Sequence, residues 1–235
     1  MPTNPRPAHE RWRRLWRESV RPLLVLIILL TSFRSAIADW NDVPSGSMRP
    51  TILEGDRVLV NRVAYDLKVP FTTWHLARWS DPKRGDIVVL LSPVNSERLI
   101  KRVVGIPGDV IEVHGQRLRV NGTPAAYAPL PASEAIAHGV AWLPLAAMAQ
   151  ETVEGRRHMV MAETAIGPGS DIGPLRVPEG QYFLMGDHRD SSYDSRFWGF
   201  AERRAILGRA VAIAFSLDHD HYLMPRRERF AARLD

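Results

Sequence analysis

The chain has 235 residues, a formal net charge of +5 and no cysteine. A composition that is 45% hydrophobic and 24% charged excludes a disordered or low-complexity chain, and the absence of cysteine excludes disulfides, thiolate metal sites and a cysteine nucleophile. The positive excess sits mostly at the two ends, which argues against a nucleic-acid groove and for ends that meet an anionic surface.

Residues 1–21 carry Arg6, Arg11, Arg13, Arg14, Arg17 and Arg21 against Glu10 and Glu18, with Trp12, Leu15 and Trp16 at helical spacing. Such a piece suits a headgroup surface. Pro22 is placed for a first helical turn, and the apolar run Leu23–Leu30 continues more weakly to Ala38, with Trp40 at the expected interface. Residues 22–39 are therefore expected to form one transmembrane anchor, with Arg34 snorkelling. By the positive-inside rule, residues 1–21 stay cytoplasmic and everything after the anchor lies outside. A cleaved secretory signal is the rival, because Ala36-Ile37-Ala38 ends the run as a cleavage site would. A buried soluble helix fits least, since the run has no polar face.

After the anchor the pattern turns to short β-branched runs between turns. Strands are expected at Arg57–Val60, Ile87–Leu91 and Arg98–Val104. Val110–Val113 and Leu118–Val120 read as paired strands, with Asn121-Gly122 a turn signal. Residues 61–84 read as mixed and loop-like. Residues 123–179 are rich in Ala, Pro and Gly and read as an insertion of loops and short elements. Strand character returns at Gly180–Asp187 and Gly208–Phe215. The expected architecture is an all-β domain in two parts, 40–122 and 180–217, followed by a basic tail, 218–235, that is helical or frayed.

The chemistry centres on Pro44-Ser45-Gly46-Ser47-Met48-Arg49-Pro50-Thr51. The prolines exclude an interior strand and Gly46 allows close backbone approach, so Ser47 presents its hydroxyl on a stiff turn. A serine needs a base. None of the eight histidines has a convincing setting; His188 is the most interesting of them. Asp218-His219-Asp220-His221 reads as a solvated loop rather than a metal site. Lys101 is the better base. On a strand it shares a face with Leu99 and Val103, where lost solvation lowers an amine's pKa far enough to leave it neutral near pH 7. An edge-strand lysine snorkelling to water fits the strand equally well.

Three stretches in this order resemble bacterial type I signal peptidases, the serine–lysine leader peptidases. They are Pro44–Thr51, Lys101–Asp109, and Gly186–Asp190 with Ser192, Asp194–Arg196 and Trp198-Gly199. The resemblance implies an all-β catalytic domain with antiparallel sheets behind one N-terminal transmembrane helix, in the cytoplasmic membrane with the domain on the periplasmic side. It implies a Ser47 nucleophile, a Lys101 general base, and an oxyanion hole from the Ser47 amide and the Ser45 hydroxyl. Ser192 would orient the lysine, and Asp194 with Arg196 and Asp187 with Arg102 would support the site. Val43, Pro44 and Ile100 would line a pocket for small residues such as Ala. The partners implied are signal-peptide-bearing preproteins and the lipid bilayer. No cofactor, metal or nucleic acid is expected. His188 departs from the family's usual Asn, and one span replaces the two of many Gram-negative members. A maturation peptidase for one exported substrate, such as a conjugative pilin, or an inactive membrane-anchored β-domain are the alternative readings.

Overall fold

A computed structural model describes residues 12, 15–69, 72, 74–138, 140, 143, 147–163, 171–218 and 222–234. His219, Asp220 and His221 lie outside the described residues. A π-helical turn, Trp16–Val20, runs into helix α1, Arg21–Ile37. Leu23–Ile27 and Leu30 of α1 are exposed. No helix among the described residues is long and apolar enough to cross a membrane. Strand β1, Ala38–Asp42, follows α1 directly and pairs antiparallel with β2, Asp56–Asn61.

The body is built from antiparallel sheets. Its main sheet has eight strands, ordered β1-β2-β16-β5-β6-β14-β15, with β17 joined to β16. β5 is Ile87–Leu91, β6 Arg98–Gly105, β14 Gln181–Met185, β15 Ala201–Glu202, β16 Ile206–Asp218 and β17 Met224–Pro225. Alternation along β5 divides the core. Ile87 and Val89 pack with Met48, Ile52, Val58 and Ile213. Val88 and Leu90 pack with Tyr65, Val103, Tyr182 and Leu184. Each such fully buried aliphatic side chain contributes about 1.5–3 kcal/mol against leaving it in water.

Within residues 61–84, β3, Asp66–Lys68, and β4, His75–Arg78, form a hairpin. Its buried Asp66 carboxylate meets Lys68, His75 and Arg203, which ties the hairpin to the residues just after β15. β7, Val110–His114, and β8, Arg117–Val120, pair as expected, but the chain reverses between them at Gly115-Gln116. Asn121 and Gly122, both at positive φ, turn β8 into β9, Thr123–Pro124.

Within 123–179, read as loops and short elements, the described residues form four strands beyond β9 and one short helix. β10, Ala126–Pro129, β11, Met148–Val153, and β12, Arg156–Met161, form a three-stranded sheet, and β13, Asp171–Arg176, pairs with β7. Met148, Met159 and Met161 share a core with Leu53 and with Ala135 of the short helix α2, Ala132–Ala137. The described part of the basic tail holds one 3₁₀ turn, Arg227–Arg229, and packs on the body. Arg229 is 2% exposed and donates to both Asp56 oxygens and to the Thr51 and His138 carbonyls. Leu234 enters the Met48 core cluster. A buried carboxylate that needs a cation draws the tail in.

Candidate active site

Three pieces of backbone converge around Ser47. The first is the loop before β2. Ser45 is extended and exposed, and Gly46–Met48 form one 3₁₀ turn, closed by Arg49 N–H donating to the Gly46 carbonyl at 3.0 Å. Buried Met48 anchors the turn in the core, and the Arg49–Pro50 peptide is cis. A Cβ at Gly46 would sit 2.7 Å from Glu54 Oε1, so a larger residue there would displace the Arg49–Glu54 ion pair beside it.

The second piece is β6. Its ladder to β14 stops at the Arg102–Met185 pair, while its ladder to β5 continues through Lys101–Val88. Lys101 thus lies just beyond the point where β14 turns away, and the Gly46–Met48 turn packs there. Leu99 and Val103 pack in the cluster on the Val88 face, as alternation requires. Lys101 is 3% exposed and its Nζ lies 2.8 Å from Ser47 Oγ. Burial pushes this amine down to about 8, against the pull of the Asp194 and Asp187 charges; the Arg196 charge adds to the fall. The snorkelling alternative is therefore excluded by position.

The third piece is the loop after β14, Gly186 to Asp194. The His188 N–H donates to the Ser47 carbonyl at 3.1 Å. Asp187 accepts two bonds from Arg102, at 2.8 and 2.7 Å, and one from the Thr51 hydroxyl at 2.6 Å. Burial alone would raise this carboxyl, but the Arg102 charge and these bonds hold it below the usual carboxylate range. Asp194 pairs with Arg196 at 2.9 Å, accepts from Gly186 N–H at 2.9 Å, and caps helix α3, Ser195–Trp198. Arg196 reaches back to the Arg189 carbonyl at 2.7 Å, closing the loop.

Ser192 is buried beside Gly186, and its hydroxyl has no hydrogen-bond partner among the described residues. The lysine-orienting bond expected of it is not made here. Val43 is 6% exposed and lies in the Met48 core with Ile100 packed against it, whereas Pro44 is exposed. His188 is buried, 4.0 Å from Glu163. Among the described residues, no group of three or more His, Asp or Glu side chains could hold a metal ion.

Sequence reasoning missed Glu151. It is fully buried on β11 and receives Arg189 at 2.9 and 2.6 Å, with the Tyr127 hydroxyl at 2.5 Å and His158 at 3.0 Å. Burial opposes its charge, yet Arg189 holds it well below the usual carboxylate range. No periodic pattern marks this residue, and in the sequence Arg189 already has Asp187 and Asp190 as neighbouring carboxylates.

A Cβ on Gly186 would fall on the Ser192 hydroxyl and the Ser47 carbonyl. Gly186→Ala is expected to push the Ser47 turn away from Lys101. The expected loss in kcat/KM is about 100-fold, the cost of a misplacement near 1 Å, with KM nearly unchanged.

A family model described as signal peptidase, peptidase S26, matches residues 16–215. The chain belongs to the signal peptidase family. A signal peptidase I of Pseudomonas fluorescens is 34% identical over 211 residues, covering 85% of this chain and 71% of that protein. A probable signal peptidase I-2 of Synechocystis sp. is 30% identical over 226 residues, covering 93% and 82%. A solved signal peptidase I from Enterococcus faecalis V583 is 26% identical with a TM-score of 0.35, covering 55% of this chain and 97% of that one.

Proposed function

We propose that this peptidase removes signal peptides from preproteins by attack of Ser47 Oγ, with neutral Lys101 as the general base. The observation that carries this reading is the 2.8 Å contact between the Ser47 hydroxyl and an amine lowered to about 8. The Ser47 proton moves to Lys101 Nζ as Oγ bonds to the scissile carbonyl carbon. The oxyanion forms against the Ser47 N–H and the Ser45 hydroxyl, donors worth about 3–4 kcal/mol each in such sites. The Lys101 ammonium then protonates the departing amine. Water, deprotonated by the regenerated amine, releases the signal peptide from Ser47. Asp187 with Arg102, and Asp194 with Arg196, fix the two loops that hold this pair. Cleavage follows small residues, in the Ala-x-Ala manner, through a shallow wall at Pro44 backed by Val43 and Ile100.

The N-terminal region anchors the enzyme in the cytoplasmic membrane, with residues 1–21 inside and residues from 40 onward on the outer side. Helix α1, Arg21–Ile37, supports this reading, since it carries the apolar run directly after the arginine-rich segment. So do its exposed leucines and the arginines before them. The anchor ends where β1 begins, so Ser47 sits close to the outer boundary, where a signal peptide presents its cleavage site.

The test is cleavage of an Ala-x-Ala preprotein by the full chain across pH, with N-terminal sequencing of the product. The base must be neutral, so kcat/KM is expected to rise with pH and level off above about 8. A flat profile, or a product cut elsewhere, would overturn the reading.

A further inference from the structure

We infer that a cavity on the face of β6 opposite Lys101 binds a phosphate group. The cavity has a volume of about 620 Å³ and is bounded by β12, β16 and the C-terminal segment. Arg156, Arg157, Arg209 and Arg233 line it, against the carboxylates of Asp86 and Glu134. Arg102 and Arg229 also reach its wall, but Asp187 and Asp56 neutralise them. The Arg156, Arg157 and Arg233 guanidiniums have neither a hydrogen-bond nor an ion-pair partner among the described residues. Arg209 lies 3.4 Å from Asp86, and its Nε makes no hydrogen bond.

A second observation is independent of this charge count. His158 lines the same cavity with its side chain 6% exposed, and its buried Nδ1 has no hydrogen-bond partner. Burial and then the Arg102 charge push this imidazole below its ordinary range, against the pull of Glu151 and Asp187. Unmatched guanidinium forks from separate elements suit an anion with several oxygens, and Nδ1 becomes a further donor when an anion's charge protonates the imidazole. A tetrahedral phosphate satisfies forks that approach from different directions, and planar guanidinium groups recognise it bidentately. A phospholipid headgroup and free phosphate offer the same group.

The experiment uses the full chain in neutral detergent and reads its thermal midpoint. One arm titrates inorganic phosphate against chloride at matched ionic strength. The other adds phosphatidylglycerol to the micelles. Wild type is expected to gain stability in at least one arm. A rise in both assigns the phosphate group alone; a rise only with the lipid assigns a headgroup. Arg156→Gln with Arg157→Gln should weaken the apparent Kd about 10- to 100-fold. Arg233→Gln should weaken it about tenfold. These exposed positions leave the unliganded midpoint in place. No rise in either arm, or an equal rise in the double variant, overturns the proposal.

Discussion

Lys101→Met is expected to abolish cleavage while making the fold more stable. Without the amine, nothing takes the Ser47 proton, and loss of one member of such a unit costs on the order of 10⁴-fold or more in kcat. The stability gain comes from the same burial. In the unfolded chain this amine titrates at its ordinary value, 10.5, and in the folded chain at about 8. Between these values the unfolded chain binds more protons, so wild-type stability rises with pH there. Below about 8 the folded chain carries the full cost of a buried ammonium, roughly 3 kcal/mol. Methionine of similar length removes that cost. Urea denaturation should therefore place the variant above wild type at pH 7 and bring the two together near pH 10. A variant that is inactive and less stable at pH 7 would mean that the lysine is held by structure rather than strained for chemistry.

Glu151→Gln carries the other large effect, and it acts on the fold. Arg189 is 2% exposed and Glu151 fully buried, so removing the carboxylate leaves a guanidinium in the interior without its counter-charge. Breaking such a pair costs about 3–5 kcal/mol, a large share of a total that seldom exceeds about 15. Replacing both partners, Glu151→Leu with Arg189→Met, should recover most of that loss, because the pair's own desolvation cost disappears with it. The readout is the urea midpoint of all three variants. If Glu151→Gln alone stays within about 0.5 kcal/mol of wild type, the pair is not what clamps the 186–194 loop to β11.

Much of this arrangement was legible because local chemistry and tertiary position agree. The prolines around Ser47 make a turn, and the alternation of β6 puts Lys101 among Leu99 and Val103. β5 begins and ends where its apolar run does. Other elements were hidden for physical reasons. β1, Ala-Asp-Trp-Asn-Asp, has few strand-favouring residues and forms because β2 offers it an edge. Arg229 reads as a solvated tail residue until Asp56 is seen beneath it. The 123–179 segment has no period because its short strands bury methionines and a glutamate together. Thr51 belongs to the serine stretch, yet nothing local shows that its hydroxyl meets Asp187.

The contacts that assemble the site are distant along the chain. Ser47 meets Lys101 across 54 positions, Thr51 meets Asp187 across 136, and Arg229 meets Asp56 across 173. Folding dominated by such separations is slow, because loop closure precedes its reward. Activity is therefore expected only after Arg229 has docked on Asp56, and on refolding it should appear with the slowest global phase rather than in a burst.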